Sequence, residues 1–104
     1  MGILTLKEEV ILSAIMMYGG SSGGALIRKK VIELTQKEIV YGTLYNLMEK
    51  LIHKGFISTG RIDPSPVQGG RSKTLYSITP AGRKALQETL EMHAAIKRSL
   101  PELG

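Results

Sequence analysis

The fold of this chain is decided by residues 39–79, which read IVYGTLYNLMEKLIHKGFISTGRIDPSPVQGGRSKTLYSIT. The first part of the stretch repeats apolar side chains every three or four residues, the spacing of a buried helical stripe. Those side chains are Leu44, Leu47, Met48, Leu51 and Ile52. Lys54 and Gly55 then supply the cation and the left-handed glycine that favour a helix C-terminus. We therefore predict a helix that ends at Gly55.

The second part of the stretch contains two runs of strand-forming residues. The first run begins with residues 56–59, and the second covers residues 73–78. The residues between them are typical of turns. They are Gly60, Asp63, Pro64, Ser65, Pro66, Gly69 and Gly70. A helix, a strand, a long tip and a second strand, in this order, predict a winged helix.

A first helix is predicted near the start of the chain. Thr5 and Glu8 have the spacing of a capping box, and apolar residues follow at helical intervals. These apolar residues are Leu6, Val10, Ile11, Ala14, Ile15 and Tyr18. The helix is expected to end at residues 19–24, GGSSGG, because glycine and serine do not continue a helix cheaply.

The glycine-rich residues 19–24 also invite comparison with a phosphate-binding loop. Gly19 and Gly24 have the right spacing, but Ala25 and Leu26 follow where Lys and Ser or Thr are needed. No strand is predicted before the loop either. We therefore expect a flexible turn here and no nucleotide site.

A second helix is predicted over residues 25–34. Its core-facing side chains are expected to be Leu26, Ile27, Val31 and Leu34. The outer face carries Arg28, Lys29 and Lys30, which either contact phosphates or form a solvated helix face. Residues 35–39 would then be the turn of a helix–turn–helix, the motif that lays its next helix in a major groove.

The last helix is predicted from Pro80 to about Ser99, since Thr79 offers a hydroxyl cap and proline is favoured at the first helical position. One edge of this helix is apolar over a greater length than one small domain is able to bury. We therefore expect a second copy of the chain to cover the remaining apolar surface. The expected dimer interface consists of Leu86, Leu90, His93, Ile96 and Leu100.

The prediction is thus a mainly α chain with a small β-hairpin. Residues 1–78 form a winged helix-turn-helix DNA-binding domain, and residues 79–104 form a C-terminal dimerisation helix and tail.

Composition limits the classes of function. The chain has 104 residues and a net charge of +5. Five basic and two acidic residues fall within residues 41–78, so the predicted wing and its helix hold +3 of this charge. Such a concentration favours a polyanionic partner. The absence of cysteine excludes disulfides, zinc fingers and thiol catalysis. Residues 10–18 are too short to cross a bilayer and no basic leader is present, so we expect a cytoplasmic protein without a membrane partner.

Several short motifs, taken together, resemble the PadR family of transcriptional regulators. They are Gly42-Thr43-Leu44-Tyr45, Lys54-Gly55-Phe56, Gly69-Gly70-Arg71, Tyr76-Ser77-Ile78-Thr79 and Gly82 after Pro80. They cover about forty residues in the right order, and their combination is more specific than any one of them. The resemblance implies a winged helix with a C-terminal dimerisation helix, as in the short members of the family, and a role as a ligand-responsive repressor.

The residues expected to contact DNA lie on the third helix and on the wing. Sequence is read in a major groove by polar side chains near the N-terminal end of a helix. Here those are Tyr41, Thr43, Tyr45 and Asn46, although Tyr45 also suits packing of the domain surface. Lys50 and Lys54 lie further along and suit phosphates. On the wing, the expected contacts are Arg61, Arg71 and Lys73.

Neither histidine belongs to a recognised catalytic motif, so we expect no enzyme and no cofactor. The leading hypothesis is a homodimer that binds double-stranded DNA as a sequence-specific transcriptional regulator, with a small hydrophobic or aromatic effector. The alternative is a winged-helix module that binds another protein instead of DNA. A third hypothesis is a drug sensor with a ligand between the paired helices, for which methionines 16, 17, 48 and 92 would line an adaptable pocket.

Overall fold

Four helices and three strands make up the part of the chain that the computed structural model describes, residues 4–62 and 73–103. In chain order they are α1 (Leu6–Met17), β1 (Ser21–Gly23), α2 (Gly24–Thr35), α3 (Tyr41–His53), β2 (Ile57–Ile62), β3 (Lys73–Ile78) and α4 (Pro80–Ser99). This is a winged helix-turn-helix followed by a long C-terminal helix, as predicted. None of the described helices combines the length and apolar character needed to span a membrane.

The helix ends follow the local signals in the sequence. At the start of α1, the Thr5 hydroxyl accepts a bond from the Glu8 amide, and the Glu8 carboxylate accepts one from the Thr5 amide. At the start of α4, the Thr79 hydroxyl accepts a 3.0 Å bond from the amide of Gly82. Gly55, after α3, has φ +79°. The capping box, the threonine cap and the glycine stop are therefore confirmed.

The wing sheet has three antiparallel strands in the order β1-β3-β2, one more than the predicted hairpin. Gly19 and Gly20 do turn, with φ +85° and +102°, but residues 21–23 form an edge strand instead of a flexible turn. The hydroxyls of Ser21 and Ser77 lie 2.7 Å apart across this pairing, and Ile78 donates to the carbonyl of Gly20. The strand depends on β3 rather than on its own strand propensity, so its local sequence does not reveal it.

The hydrophobic core lies between α1, α2, α3, the base of the wing and the first half of α4. Its fully buried large residues are Ile11, Leu12, Ile15, Ile27, Leu44, Met48 and Leu51. The prediction that Leu26 and Leu34 face the core is wrong, because both are exposed. Leu26 lies about 100° around α2 from Ile27, and Leu34 lies at the end of the helix, where less of the domain covers it.

The first half of α4 packs against α1, and the second half extends beyond the domain. Thr89 is buried, donates a 2.8 Å bond to the carbonyl of Ala85 and accepts one of 3.3 Å from the amide of Leu4. After Met92 every described residue of α4 is exposed. The molecule consequently measures 58 Å along its long axis and 28 Å and 22 Å across it.

Candidate nucleic-acid interface

Helix α3 separates its side chains into a buried and an exposed set. Leu44, Met48 and Leu51 face the core. The exposed set contains every α3 residue predicted to contact DNA, namely Tyr41, Thr43, Tyr45, Asn46 and Lys50, together with Glu49 and His53. The predicted reading residues are thus available on the surface of one helix.

A row of three tyrosines joins α3 to the wing. The rings of Tyr41 and Tyr45 stack with centroids 5.8 Å apart, and the ring of Tyr76 on β3 lies 6.3 Å from that of Tyr45. The Tyr45 hydroxyl also lies close to Gly24, where an added Cβ would come within 2.7 Å of it. Tyr45 therefore packs on the domain surface and keeps 41% of its area exposed, so both roles considered for it are compatible with its position.

The third tyrosine of the row keeps its proton at neutral pH. Burial, and secondarily the nearby Tyr45 and Glu49, raise the pKa of Tyr76 above its ordinary value of 10.0. The shift moves the hydroxyl further from ionisation, and it lies beside α3 as a neutral donor and acceptor.

Arg28 on α2 holds the turn that leads into α3. Its Nε donates a 2.7 Å bond to the carbonyl of Ile39, and its guanidinium lies 4.8 Å from the centroid of the Tyr41 ring. It also forms an ion pair with Glu38 at 3.4 Å. Lys30 likewise forms an ion pair with Glu33, and its Nζ lies over the ring of Tyr18. Of the basic triplet on α2, only Lys29 has no ion pair or ring contact among the described residues.

The strand register places the two described wing cations on opposite faces of the sheet. Arg61 pairs with Thr74 and Ile62 pairs with Lys73, and side chains alternate along a strand. Arg61 therefore shares the face of Tyr76, which contacts Tyr45, and Lys73 belongs to the other face. The structure brings Arg61, but not Lys73, to the side of the wing that adjoins α3. Arg71 lies outside the described residues.

Lys54 ties α3 to α1. Its Nζ donates to the carboxylate of Glu8, a side chain that is almost fully buried. Burial alone would raise the pKa of Glu8, but the hydrogen bonds from Lys54 and Thr5, together with the charge of Lys54, lower it below the ordinary value of 4.5. Lys54, which we expected to suit phosphates, is thus engaged inside the domain. The sequence gives no local signal for this pair because 46 residues separate its members.

The residues expected at a dimer interface divide into three groups. Leu86 is buried in the domain's own core. His93 Nε2 lies 2.8 Å from a carboxylate oxygen of Glu9 on α1. Leu90, Ile96 and Leu100 expose 47%, 47% and 50% of their areas. Of the five residues predicted at the interface, only these three are exposed apolar side chains that another chain is able to cover.

Comparisons with known proteins agree with this architecture. The model of the transcriptional regulator PadR-like family matches residues 11–88. A transcriptional regulator from Clostridium thermocellum is 26% identical, with a TM-score of 0.68 over 88% of this chain and 84% of that one. F93 from STIV, a winged-helix DNA-binding protein, is 19% identical, with a TM-score of 0.70 over 91% of this chain and 95% of that one.

A third similar structure is that of a ligand-regulated protein. BpsR from Bordetella bronchiseptica, whose DNA binding is regulated by 6-hydroxynicotinic acid, is 24% identical. The TM-score is 0.70, over 93% of this chain and 64% of that one. No curated protein sequence matches the chain.

Proposed function

The chain belongs to the PadR-like family of transcriptional regulators, and from that premise we propose that it is a homodimeric, ligand-responsive repressor that recognises two half-sites of duplex DNA. The dimer is proposed because Leu90, Ile96 and Leu100 are exposed along the second half of α4 and at its end, where the helix extends beyond the domain. An exposed apolar edge of this kind favours association with a second copy.

In the proposed complex, α3 lies in the major groove. Asn46 is suited to the bidentate pairing with adenine, and Thr43 offers a methyl group or a hydroxyl to a base edge. Lys50 is suited to one phosphate, and Arg61, on the face of the wing that adjoins α3, is suited to another. Lys73 and Arg71 are proposed as further wing contacts. Six phosphates neutralised per dimer predict a slope of about −5 for log affinity against log salt concentration.

The pairing of two α4 helices would set the distance between the two α3 helices. Half-sites read by a dimer lie about 34 Å apart, one turn of duplex. A small change in the angle between the α4 helices would displace one α3 from its groove and weaken binding. Because BpsR, a protein of similar fold, is regulated by an aromatic acid, we propose a small apolar or aromatic effector for this chain as well.

Selection of bound duplexes from a random pool tests the proposal. We expect a palindromic consensus whose half-sites are one helical turn apart, together with a dimeric mass at micromolar concentration by analytical ultracentrifugation. Binding that shows no preference over random duplex at several salt concentrations would contradict sequence-specific regulation. A monomeric mass together with a non-palindromic consensus would contradict the dimer alone.

A further inference from the structure

An apolar groove of about 710 Å³ opens between the start of α1, the end of α2 and the turn before α3. Its volume lies within the range of ordinary small-molecule sites. Ile11 and Val31 form its buried floor. Leu6, Leu34 and Val40 form its rim and expose 74%, 43% and 66% of their areas. Three of the exposed large apolar side chains of the domain thus lie around one concave surface.

The identity of Val40 is not explained by helix formation. It occupies the N-cap position of α3, where Ser, Thr, Asp or Asn would accept a bond from a free backbone amide, and its side chain makes no such bond. An apolar side chain here leaves the cap unmade and meets water over most of its surface. The second cost, the exposure of the Val40 side chain to water, is reduced if an apolar molecule fills the groove against it.

The charges at the groove favour an anion. Lys7 and Lys37 line it, and neither forms an ion pair within residues 4–62 and 73–103. The acidic lining residue, Glu38, is paired with Arg28. An apolar floor and rim with two available ammonium groups at the edge are complementary to an apolar body that carries one carboxylate.

We propose that this groove is the effector site and that its ligand is an amphiphilic carboxylate. The apolar body packs on Leu34 and Val40, and the carboxylate pairs with Lys37. The regulatory part of this inference rests on the proposed function, and the binding part does not. The site lies within each protomer, so a dimer has two, in contrast to the position between paired helices that the drug-sensor hypothesis assigns.

The position of the groove explains how a ligand would act on DNA binding. Thr43, one of the proposed base-reading residues, also lines the groove, and residues 37–40 form the turn from which α3 begins. A carboxylate bound to Lys37 occupies a cation of this turn and adds negative charge where a phosphate would approach. Ligand and DNA are therefore expected to oppose each other.

Titration with dodecanoate, below its micelle concentration, tests the binding. We expect dissociation constants in the micromolar range by calorimetry, with NMR shift changes concentrated at residues 34–43, and at least tenfold weaker binding of dodecanol. Val40→Ser supplies the missing cap, so it preserves the fold, and it should weaken dodecanoate binding at least fivefold. Lys37→Gln should do the same.

Matched controls and a DNA assay separate the two proposals. Leu103→Ser and Lys84→Gln remove an exposed apolar group and a cation outside the groove, and should leave dodecanoate binding unchanged. Shift changes confined to α4, or equal binding of dodecanol, would overturn the site. If dodecanoate binds at the groove but leaves DNA affinity unchanged at saturation, the regulatory part is overturned. A protein that binds dodecanoate but no DNA refutes the proposed function and leaves the binding site supported.

Discussion

The guanidinium of Arg28 lies over the ring of Tyr41, 4.8 Å from its centroid, while Arg28 Nε bonds the carbonyl of Ile39. One side chain of α2 thereby holds both the end of the turn and the first residue of α3. Since a helix inserted into a groove must be placed within a fraction of an ångström to form bidentate base contacts, this relationship links the packing of the domain to its reading of DNA.

Replacement of Arg28 by alanine tests whether it positions α3 or contacts DNA itself. We expect Arg28→Ala to weaken specific binding about tenfold, roughly 1.4 kcal/mol, because the turn and Tyr41 lose their support. The salt slope should stay the same, since no phosphate contact is lost. Binding isotherms at four salt concentrations measure both quantities, with Lys29→Ala as the matched control on the same helix. A slope reduced by about one in Arg28→Ala would instead assign it a phosphate.

The Glu8–Lys54 pair should make stability depend on pH. Because the folded-state pKa of Glu8 is below 4.5, its contribution is complete above that value and is lost as the pH falls through the lowered pKa. Glu8→Gln keeps the capping box, because glutamine also serves at that position, and removes only the charge. We expect it to lower the free energy of unfolding by about 1–2 kcal/mol at pH 7.

Urea denaturation at several pH values measures this effect. The difference in free energy of unfolding between the wild type and Glu8→Gln should shrink below pH 4.5. It should vanish once Glu8 of the wild type is protonated. Lys54→Gln should show a similar loss at pH 7, and the double variant should lose little more than either single one. Additive losses would mean that the two residues stabilise the domain independently.

Two helical glycines should respond oppositely to alanine. A Cβ on Gly82 would collide with the carbonyl oxygen of Phe56 and the side chain of Ile78, so Gly82→Ala should destabilise the domain by about 2–3 kcal/mol. Outside its own helix, a Cβ on Gly42 meets no atom of the described residues within 4 Å, so Gly42→Ala should raise stability by about 0.5–1 kcal/mol. Thermal unfolding of the two variants distinguishes these outcomes.

The packing of the isolated domain does not explain why residue 42 is glycine. It lies in the exposed first turn of α3, and glycine permits close approach of a backbone to a ligand. We expect Gly42→Ala to be more stable and yet to bind DNA less tightly. If its DNA affinity matches that of the wild type, the first turn of α3 does not approach the duplex closely.

The elements that the sequence predicted well are those whose signals are local. The faces of α3, its stop at Gly55 and the range of α4 follow from apolar spacing and from caps that join residues three apart. Strand β1 was missed because its hydrogen bonds come from β3, more than fifty residues away. The exposure of Leu34 was missed for a related reason, since periodicity gives the face of a helix but not where its neighbours end.

The candidate site was predictable to a similar extent. Exposure of Tyr41, Thr43 and Asn46 follows directly from the helical period of α3. The engagement of Arg28 and Lys54 within the domain does not, because each bonds a group on another element. A basic residue in the sequence therefore predicts only a positive charge at that position. The fold shows whether its side chain is exposed to a partner or bonded within the domain.

The dimer is most directly tested on the second half of α4. Ile96 continues the side of the helix that carries the buried Ala85 and Thr89, but it exposes 47% of its own area. Ile96→Glu should therefore abolish association at micromolar concentration while changing the melting temperature of the domain little, because the core residues are untouched. Its affinity for a two-half-site duplex should fall at least a hundredfold, whereas its affinity for a single half-site should match that of the wild type. Ala95→Glu adds the same charge at least roughly 100° around the helix from Leu90, Ile96 and Leu100 and should remain dimeric. A dimer that survives Ile96→Glu and fails in Ala95→Glu would place the interface on the opposite side of α4.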